Sequence, residues 1–281
     1  MTLTPRVLVT GATGNTASRL IPKLVGLGVS VTTASRHPSD LAGTTPVKFD
    51  WYDSATFDSA LQGADRVYLV PPPLDPDPAS VMVPFLERAR ERGVGRAVLL
   101  SASIVPSGGP AAGQVHHVLP DLFEQWAALR PSWFMQNFTG SHPHALGIRE
   151  TGTIVTATGA GRVGFVDVND VASVAAHALT DEVPPADDLI LTGPEALSYD
   201  DVAAIFSDVS GREIVHEAVS RQALEQRLSV AIPAEAAAML AQVDTLISTG
   251  AENRTTDTVE RITGRAPRAL RDVLSEALAR H

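Results

Sequence analysis

Residues 7–17, Val-Leu-Val-Thr-Gly-Ala-Thr-Gly-Asn-Thr-Ala, restrict the fold more than any other stretch of the chain. Val7, Leu8 and Val9 are apolar and mostly β-branched, which suits a strand covered on both faces. Gly11 permits a tight turn, and Gly14 removes a side chain where a phosphate could approach. A helix starting near Asn15 would aim free N–H groups and its positive dipole end at that place. Strand, glycine turn and helix in this order make a dinucleotide pyrophosphate site. They also make an ordinary strand-to-helix turn, and the glycines alone do not separate the two.

The segments that follow keep the same alternation. Ala17, Leu20, Ile21, Leu24 and Val25 recur at helical spacing, with Pro22 inside the pattern. Strands are expected over 29–34, 47–50, 66–70, 97–100 and 126–129. A short helix is expected over 55–61, and an amphipathic one over 80–92 on Val81, Phe85, Leu86 and Ala89. Pro120 should interrupt a helix near 114–124. From His142 the character changes. Short strands are expected at 153–157 and 163–166, then a helix from 171 to 179 capped by Asn169 or Asp170. A strand at 189–191 follows, then a helix begun at Ser198, and alanine-rich helices broken near Pro233, Gly250 and Pro267. The expected fold is α/β. A Rossmann-like parallel sheet flanked by helices occupies 1–150, with contributions from about 151–192. A smaller, mostly helical substrate lobe over 193–281 closes over the carboxyl ends of the strands.

Composition excludes several functions. A net charge of -10 argues against direct nucleic-acid binding and against an anionic membrane surface. No apolar run is long enough to span a bilayer. The absence of cysteine removes disulfides, thiolate zinc sites and cysteine nucleophiles. Outside His116 and His117, the one close histidine pair is His142 and His144, and no carboxylate pattern joins them, so no metal site is expected. A cytoplasmic protein acting on a small molecule fits these limits.

Candidate site residues gather after the expected strands. Arg36 stands 22 residues beyond Gly14, where an NAD-preferring site carries a carboxylate for the ribose hydroxyls. A guanidinium can fork onto a 2′-phosphate, so NADP(H) is favoured over NAD(H), against the alternative of a solvated loop arginine. Asp50 and Trp51 could face an adenine or cap a helix. Pro71, Pro72 and Pro73 end a strand and could wall a cofactor crevice. Ser101, Ala102 and Ser103 follow the next strand, and either hydroxyl could bond a nicotinamide, bond a substrate carbonyl or cap the turn. His116 and His117 invite proton transfer, beside a structural or exposed role. Phe134, Met135, Asn137 and Phe138, after Arg130-Pro131-Ser132-Trp133, could line an apolar substrate pocket or fill the core.

Gly11-Ala-Thr-Gly14-Asn-Thr with Arg36, Leu129-Arg-Pro-Ser-Trp-Phe-Met-Gln-Asn-Phe138, Phe165-Val-Asp-Val-Asn-Asp170 and Leu191-Thr-Gly-Pro-Glu-Ala-Leu-Ser198 together resemble the NmrA-like branch of the atypical short-chain dehydrogenases/reductases. Triphenylmethane reductase and the festuclavine dehydrogenases belong to that group. The resemblance covers nearly the whole chain. It implies NADP(H) held by Gly11, Thr13, Gly14, Asn15, Thr16 and Arg36. It also places Pro71, Ser101 and Ala102 near the cofactor, and Pro131, Ser132, Trp133 and Phe134 near the nicotinamide. Two departures stand out. Ala17 replaces the usual third glycine, and the segment from His116 to Trp126 is several residues short.

Ordinary short-chain dehydrogenases protonate through Tyr-x-x-x-Lys. The tyrosines here are Tyr52, Tyr68 and Tyr199, followed four residues on by Thr56, Pro72 and Ala203; the lysines are Lys23 and Lys48. The pair is absent. The expected activity is an NADPH-dependent reduction of an apolar conjugated, quinone-like or iminium acceptor, where proximity to the hydride supplies much of the rate. The alternatives are a dinucleotide-binding redox sensor without turnover, and a non-redox isomerase or cyclase on the same fold.

Overall fold

A computed structural model describes residues 4–279. In chain order come β1 (Arg6–Thr10), α1 (Ala17–Gly26), β2 (Ser30–Ser35), β3 (Thr44–Lys48), α2 (Phe57–Ala60), β4 (Arg66–Leu69), α3 (Ala79–Glu91), β5 (Arg96–Leu100), α4 (Ala112–Leu122) and β6 (Gln125–Pro131). Next are α5 (Pro143–Thr151), β7 (Thr153–Thr156), β8 (Arg162–Val163), α6 (Val168–Thr180) and β9 (Asp187–Leu191). The chain ends with β10 (Leu197–Ser198), α7 (Tyr199–Ser210), β11 (Val215–Ala218), α8 (Arg221–Leu228), α9 (Ala234–Ser248), α10 (Thr258–Thr263) and α11 (Leu270–Leu278). No helix among the described residues is long and apolar enough to cross a membrane.

The chain divides into two units. The first comprises the residues through Pro131 together with Val168–Ile190. The second comprises Ser132–Asp167 and the residues from Leu191 onward. β1 to β6 of this first unit lie within the expected 1–150, and α6 and most of β9 lie within the stretch of about 151–192 expected to contribute to it.

The first unit is a seven-stranded sheet in the order β3-β2-β1-β4-β5-β6-β9. The pairings from β3 through β6 are parallel. The order reverses at β1, which has β2 on one side and β4 on the other. That reversal is where a doubly wound sheet offers a ligand site beyond its strand ends. One face of the sheet sends Leu8, Val67, Leu69, Ala97 and Leu99 into a core closed by Phe57, Met82, Phe85, Leu86, Val115 and Leu119. The burial follows from the apolar runs of β1, β4 and β5, which have covered neighbours on both sides.

Several sequence expectations shift. β3 covers 44–48 rather than 47–50, because Pro46 sits on the edge strand, where a missing N–H breaks no ladder. Pro120 does not interrupt α4: it lies in the exposed last turn, and Phe123 N–H closes the helix on the Leu119 carbonyl at 2.9 Å. α6 starts at Val168, so Asn169 and Asp170 lie in its first turn rather than ahead of it. Asp170 there still suits the positive helix end.

The second unit holds two small sheets, β8 with β10 antiparallel and β7 with β11 parallel. Its core gathers Phe138, Ile154, Phe165, Tyr199, Val202, Phe206, Ile247 and Leu274. Helix α7 begins with a capping box, in which Ser198 and Asp201 each bond the other's backbone N–H, and ends on Gly211.

Candidate cofactor site

The site in the first unit starts at the turn after β1. Gly11 takes φ +60°, and a Cβ there would come within 3.0 Å of Val70 Cβ. Only glycine suits both demands. Gly14 N–H donates to the Gly11 carbonyl at 2.8 Å, closing the turn. Thr16 occupies the cap position of α1 and is buried, yet its side chain makes no capping bond. The first turn also carries no carboxylate. An α-helix leaves its first N–H groups without intrahelical partners. Among the described residues neither a Thr16 capping bond nor a first-turn carboxylate serves that end, and Thr13, Gly14 and Asn15 beside it are exposed. The arrangement fits an anion.

Neighbouring strand ends are tied to this turn. Thr10 Oγ1 donates to the Tyr68 carbonyl at 3.1 Å and accepts from Val70 N–H at 2.8 Å. Trp51 Nε1 donates to the Val70 carbonyl at 3.1 Å, and its ring packs edge-on against Phe49 and Phe85. Trp51 is thus anchored in the core side of this edge. Asp50 accepts from Tyr52 N–H at 3.1 Å, the local turn role. Arg36 is exposed just past β2, and Pro71 is half-buried past β4.

Ser101, Ala102 and Ser103 continue from β5. Ser101 N–H donates to the Leu129 carbonyl at 2.7 Å, and Ser103 N–H to the Pro131 carbonyl at 2.9 Å. Arg130, which the sequence reading passed over, clasps this segment. Its Nε donates to the Ala102 carbonyl at 3.2 Å and its Nη2 to the Ser103 carbonyl at 2.6 Å, while Nη1 meets Asp188. Its place in the Arg-Pro-Ser-Trp-Phe block was the available signal. Ser103 is buried. Ser101 Oγ is buried with no hydrogen-bond partner among the described residues. Such an orphan hydroxyl at a strand's carboxyl end fits a ligand contact.

His116 and His117 are not brought together. His116 is buried on α4 beside Trp126, their rings 5.8 Å apart, and burial lowers its pKa. Its Nδ1 has no hydrogen-bond partner among the described residues. His117 is exposed. Of the tyrosines, Tyr68 is buried with its pKa raised by burial, as is Tyr199; Tyr52 is exposed and bonds Asp75 at 2.6 Å.

The segment after β6 belongs to the second unit. Ser132 N–H donates to the Leu191 carbonyl at 2.9 Å. Trp133, Phe134 and Asn137 are half-buried, whereas Met135 and Phe138 are fully buried core residues. Those last two pack in the core of the second unit. Gln136 Nε2 donates to Asp167 Oδ1 at 2.8 Å, and Arg268 pairs with Asp167 Oδ2 at 2.9 Å. Asp167, Glu252 and Arg268 were missed, their partners being far off in sequence. No group of His, Cys, Asp and Glu suited to a metal occurs among the described residues.

The sequence matches an NAD(P)H-binding family over residues 11–182 and the NmrA-like family over residues 116–273. The chain belongs to the NmrA-like family. It is 42% identical to the oxidoreductase YesF of Bacillus subtilis, across 98% of this chain and 94% of that protein. It is 39% identical to an agroclavine dehydrogenase of Claviceps fusiformis, covering 96% of each. Its fold matches an NADPH-dependent quinone oxidoreductase of Escherichia coli at a TM-score of 0.84 and 23% identity, over 97% of this chain and 99% of that one. This NmrA-like protein is an NAD(P)H-binding oxidoreductase.

Proposed function

We propose that the protein is an NADPH-dependent reductase of small conjugated or cationic acceptors, working without an acid pair of the Tyr-Lys kind. The observation that carries this is the uncapped, carboxylate-free start of α1 above the Gly11 turn, with Arg36 past the neighbouring strand. Thr13, Asn15 and Thr16 would hold the pyrophosphate through backbone N–H groups, on the turn that Gly11 and Gly14 close. Arg36 would fork onto the 2′-phosphate. Pro71, Ser101, Ala102 and Pro131 of the first unit would line the rest of the cofactor. Reduced nicotinamide, when bound, supplies a hydride.

The protein's own share is orientation. The Arg130 clasp fixes the Ser101–Ser103 backbone, and the Leu191 bond fixes Ser132. Buried tyrosines with raised pKa values, and a His116 shut into the core, supply no ready acid. An acceptor that is already electrophilic needs none, because positioning carries most of the barrier. A relative named for a clavine alkaloid supports a nitrogen-containing, conjugated acceptor.

The test mixes protein and NADPH with quinones, triarylmethane cations and cyclic iminium compounds, following absorbance of the reduced nicotinamide. Oxidation is expected with at least the cationic acceptors. Tight NADP binding without oxidation of NADPH by any of them would replace this reading with that of a redox sensor.

A further inference from the structure

Tyr68 is sealed inside the first unit with its hydroxyl unused. The residue is 0% exposed, and its Oη has no hydrogen-bond partner among the described residues. A phenol so buried has given up its bonds to water and gained none in return. Its place in the sheet is fixed. Tyr68 lies opposite Val9 in the parallel β1–β4 ladder, and its carbonyl accepts from Thr10 Oγ1 at 3.1 Å, just before the Gly11 turn. Side chains alternate across a strand. Val67 and Leu69 enter the core shared with α3, so Tyr68 projects from the other face, which α1 and α6 cover.

The side chain whose hydroxyl acts on the phenol there is Thr16, at the start of α1, short of a formed bond. Thr16 takes φ -77° and ψ -46°, already helical. A capping residue is usually extended, which brings its oxygen to the N–H groups of the first turn. Thr16 is not, and its side chain makes no capping bond. Its hydroxyl is therefore spare at the helix end that suits an anion. Burial raises the pKa of Tyr68, so the phenol keeps its proton and remains a donor.

We propose that Tyr68 is a positioning residue for the dinucleotide: its O–H donates to Thr16 Oγ1, and Thr16 gives its own proton to the pyrophosphate. The inference rests on the reading above that the start of α1 meets the pyrophosphate, and both residues lie in the same unit as the Gly11 turn. The anion fixes the direction of both bonds. Its oxygens only accept, so Thr16 must donate to it, which leaves the Thr16 lone pairs to accept from the phenol. Each bond in such a chain polarises the next, and the charge-assisted one is the stronger.

Titration of NADP+ into the parent, Thr16→Val, Tyr68→Phe and the double variant tests the chain. Thr16→Val should weaken binding about ten-fold, the loss of a hydrogen bond to a charged group. Tyr68→Phe keeps the ring and removes one oxygen, and should weaken binding about three-fold. In the Thr16→Val background Tyr68→Phe should change nothing, because the link is already cut. A tyrosine that merely supports the fold would cost the same in both backgrounds, and that result overturns the inference. Binding by Tyr68→Phe equal to the parent's overturns it also. A readout that leaves Tyr68 in place answers the question if Tyr68→Phe does not fold. The chain has three tyrosines, so protein carrying 13C at tyrosine Cζ gives three signals. NADP+ should shift the Tyr68 signal in the parent and leave it in place in Thr16→Val; no shift in the parent overturns the inference. A parent that binds NADP+ without coupling between Thr16 and Tyr68 loses only this chain, whereas a parent that binds no NADP+ loses the dinucleotide site itself.

Discussion

The two units bury different kinds of atom. The first unit closes an apolar core, and its buried arginines spend their N–H groups largely on main-chain carbonyls: Arg96 on Ala178 and Asp181, Arg130 on Ala102 and Ser103. The second unit buries paired charges and a polar chain. Asp167 is fully buried between Gln136 and Arg268. The His216 side chain, 1% exposed, lies 3.0 Å from Asp200 and 2.8 Å from Thr156, which in turn bonds Thr158 at 2.7 Å. Asp244 accepts from Ala157 N–H at 2.8 Å. Both units close an apolar core, and the second adds matched polar groups to it. Substitution and pH should therefore act on them differently.

The largest contrast is expected at Asp167. Asp167→Ala leaves Gln136 and Arg268 without this partner and should lower stability by about 3 kcal/mol, the usual scale for breaking a buried pair. Urea unfolding followed by the emission of Trp133, the tryptophan of the second unit, measures it. On the first unit's surface, Asp58 meets Arg88 with both side chains nearly half exposed. Asp58→Asn should move the midpoint little, and added salt should erase the remainder. Equal losses at both sites would remove the distinction between the units.

Next comes Arg36→Asp, which should weaken NADPH by about a hundred-fold through a lost charged hydrogen bond and new repulsion. NADH should change little. Isothermal titration with both dinucleotides checks it, and parallel losses would take the 2′-phosphate role from Arg36.

Acid separates the units in a third way. His144 is buried against Phe138 and Tyr199, with His142 and His216 nearby, and its pKa is pushed down to about 3 by burial first and the neighbouring imidazoles second. Folded, it stays neutral; unfolded, it takes a proton below its ordinary value of 6.5. The unfolded chain thus binds more protons as pH falls from there to about 3, and stability drops across that window. Between 6.5 and about pH 5 the loss should approach 2 kcal/mol. His144→Phe should flatten the slope. His142 adds the same sign in the second unit, whereas His116 acts on the first, so Trp133 should report unfolding at a higher pH than Trp51 or Trp126. A slope unchanged in His144→Phe would assign acid sensitivity elsewhere.

The same contrast explains what could be read in advance. The turn from Val9 to Ala17 is local, so apolar run, glycines and helix start reveal strand and cradle together. Arg36 and Ser101 follow from their distance past that turn and from the strand ends. Asp167 with Arg268, Ser132 with Glu252 and His216 with Thr156 join residues at least 60 apart. No spacing rule finds such pairs. Pro120 misled for another reason: a proline's damage depends on whether its missing N–H had a partner, and an exposed last turn supplies little to lose.

The smallest effect is expected at Ser101, and it is the most direct test of what each unit's hydroxyls do. Ser101 Oγ is buried and unpartnered in the first unit; Ser132 Oγ is buried and bonded in the second. A buried hydroxyl without a partner has already lost its water. Ser101→Ala should therefore leave the unfolding midpoint unchanged or raise it slightly. Its binding of NADP+ should weaken by about 1 kcal/mol, near five-fold, if the cofactor supplies the missing bond. Ser132→Ala should instead lower stability even without ligand, because Glu252 loses a donor. Thermal melts with and without NADP+ give all four numbers. A Ser101→Ala protein that loses stability alone and binds NADP+ normally would make Ser101 an ordinary turn residue, and the cradle would end at β4.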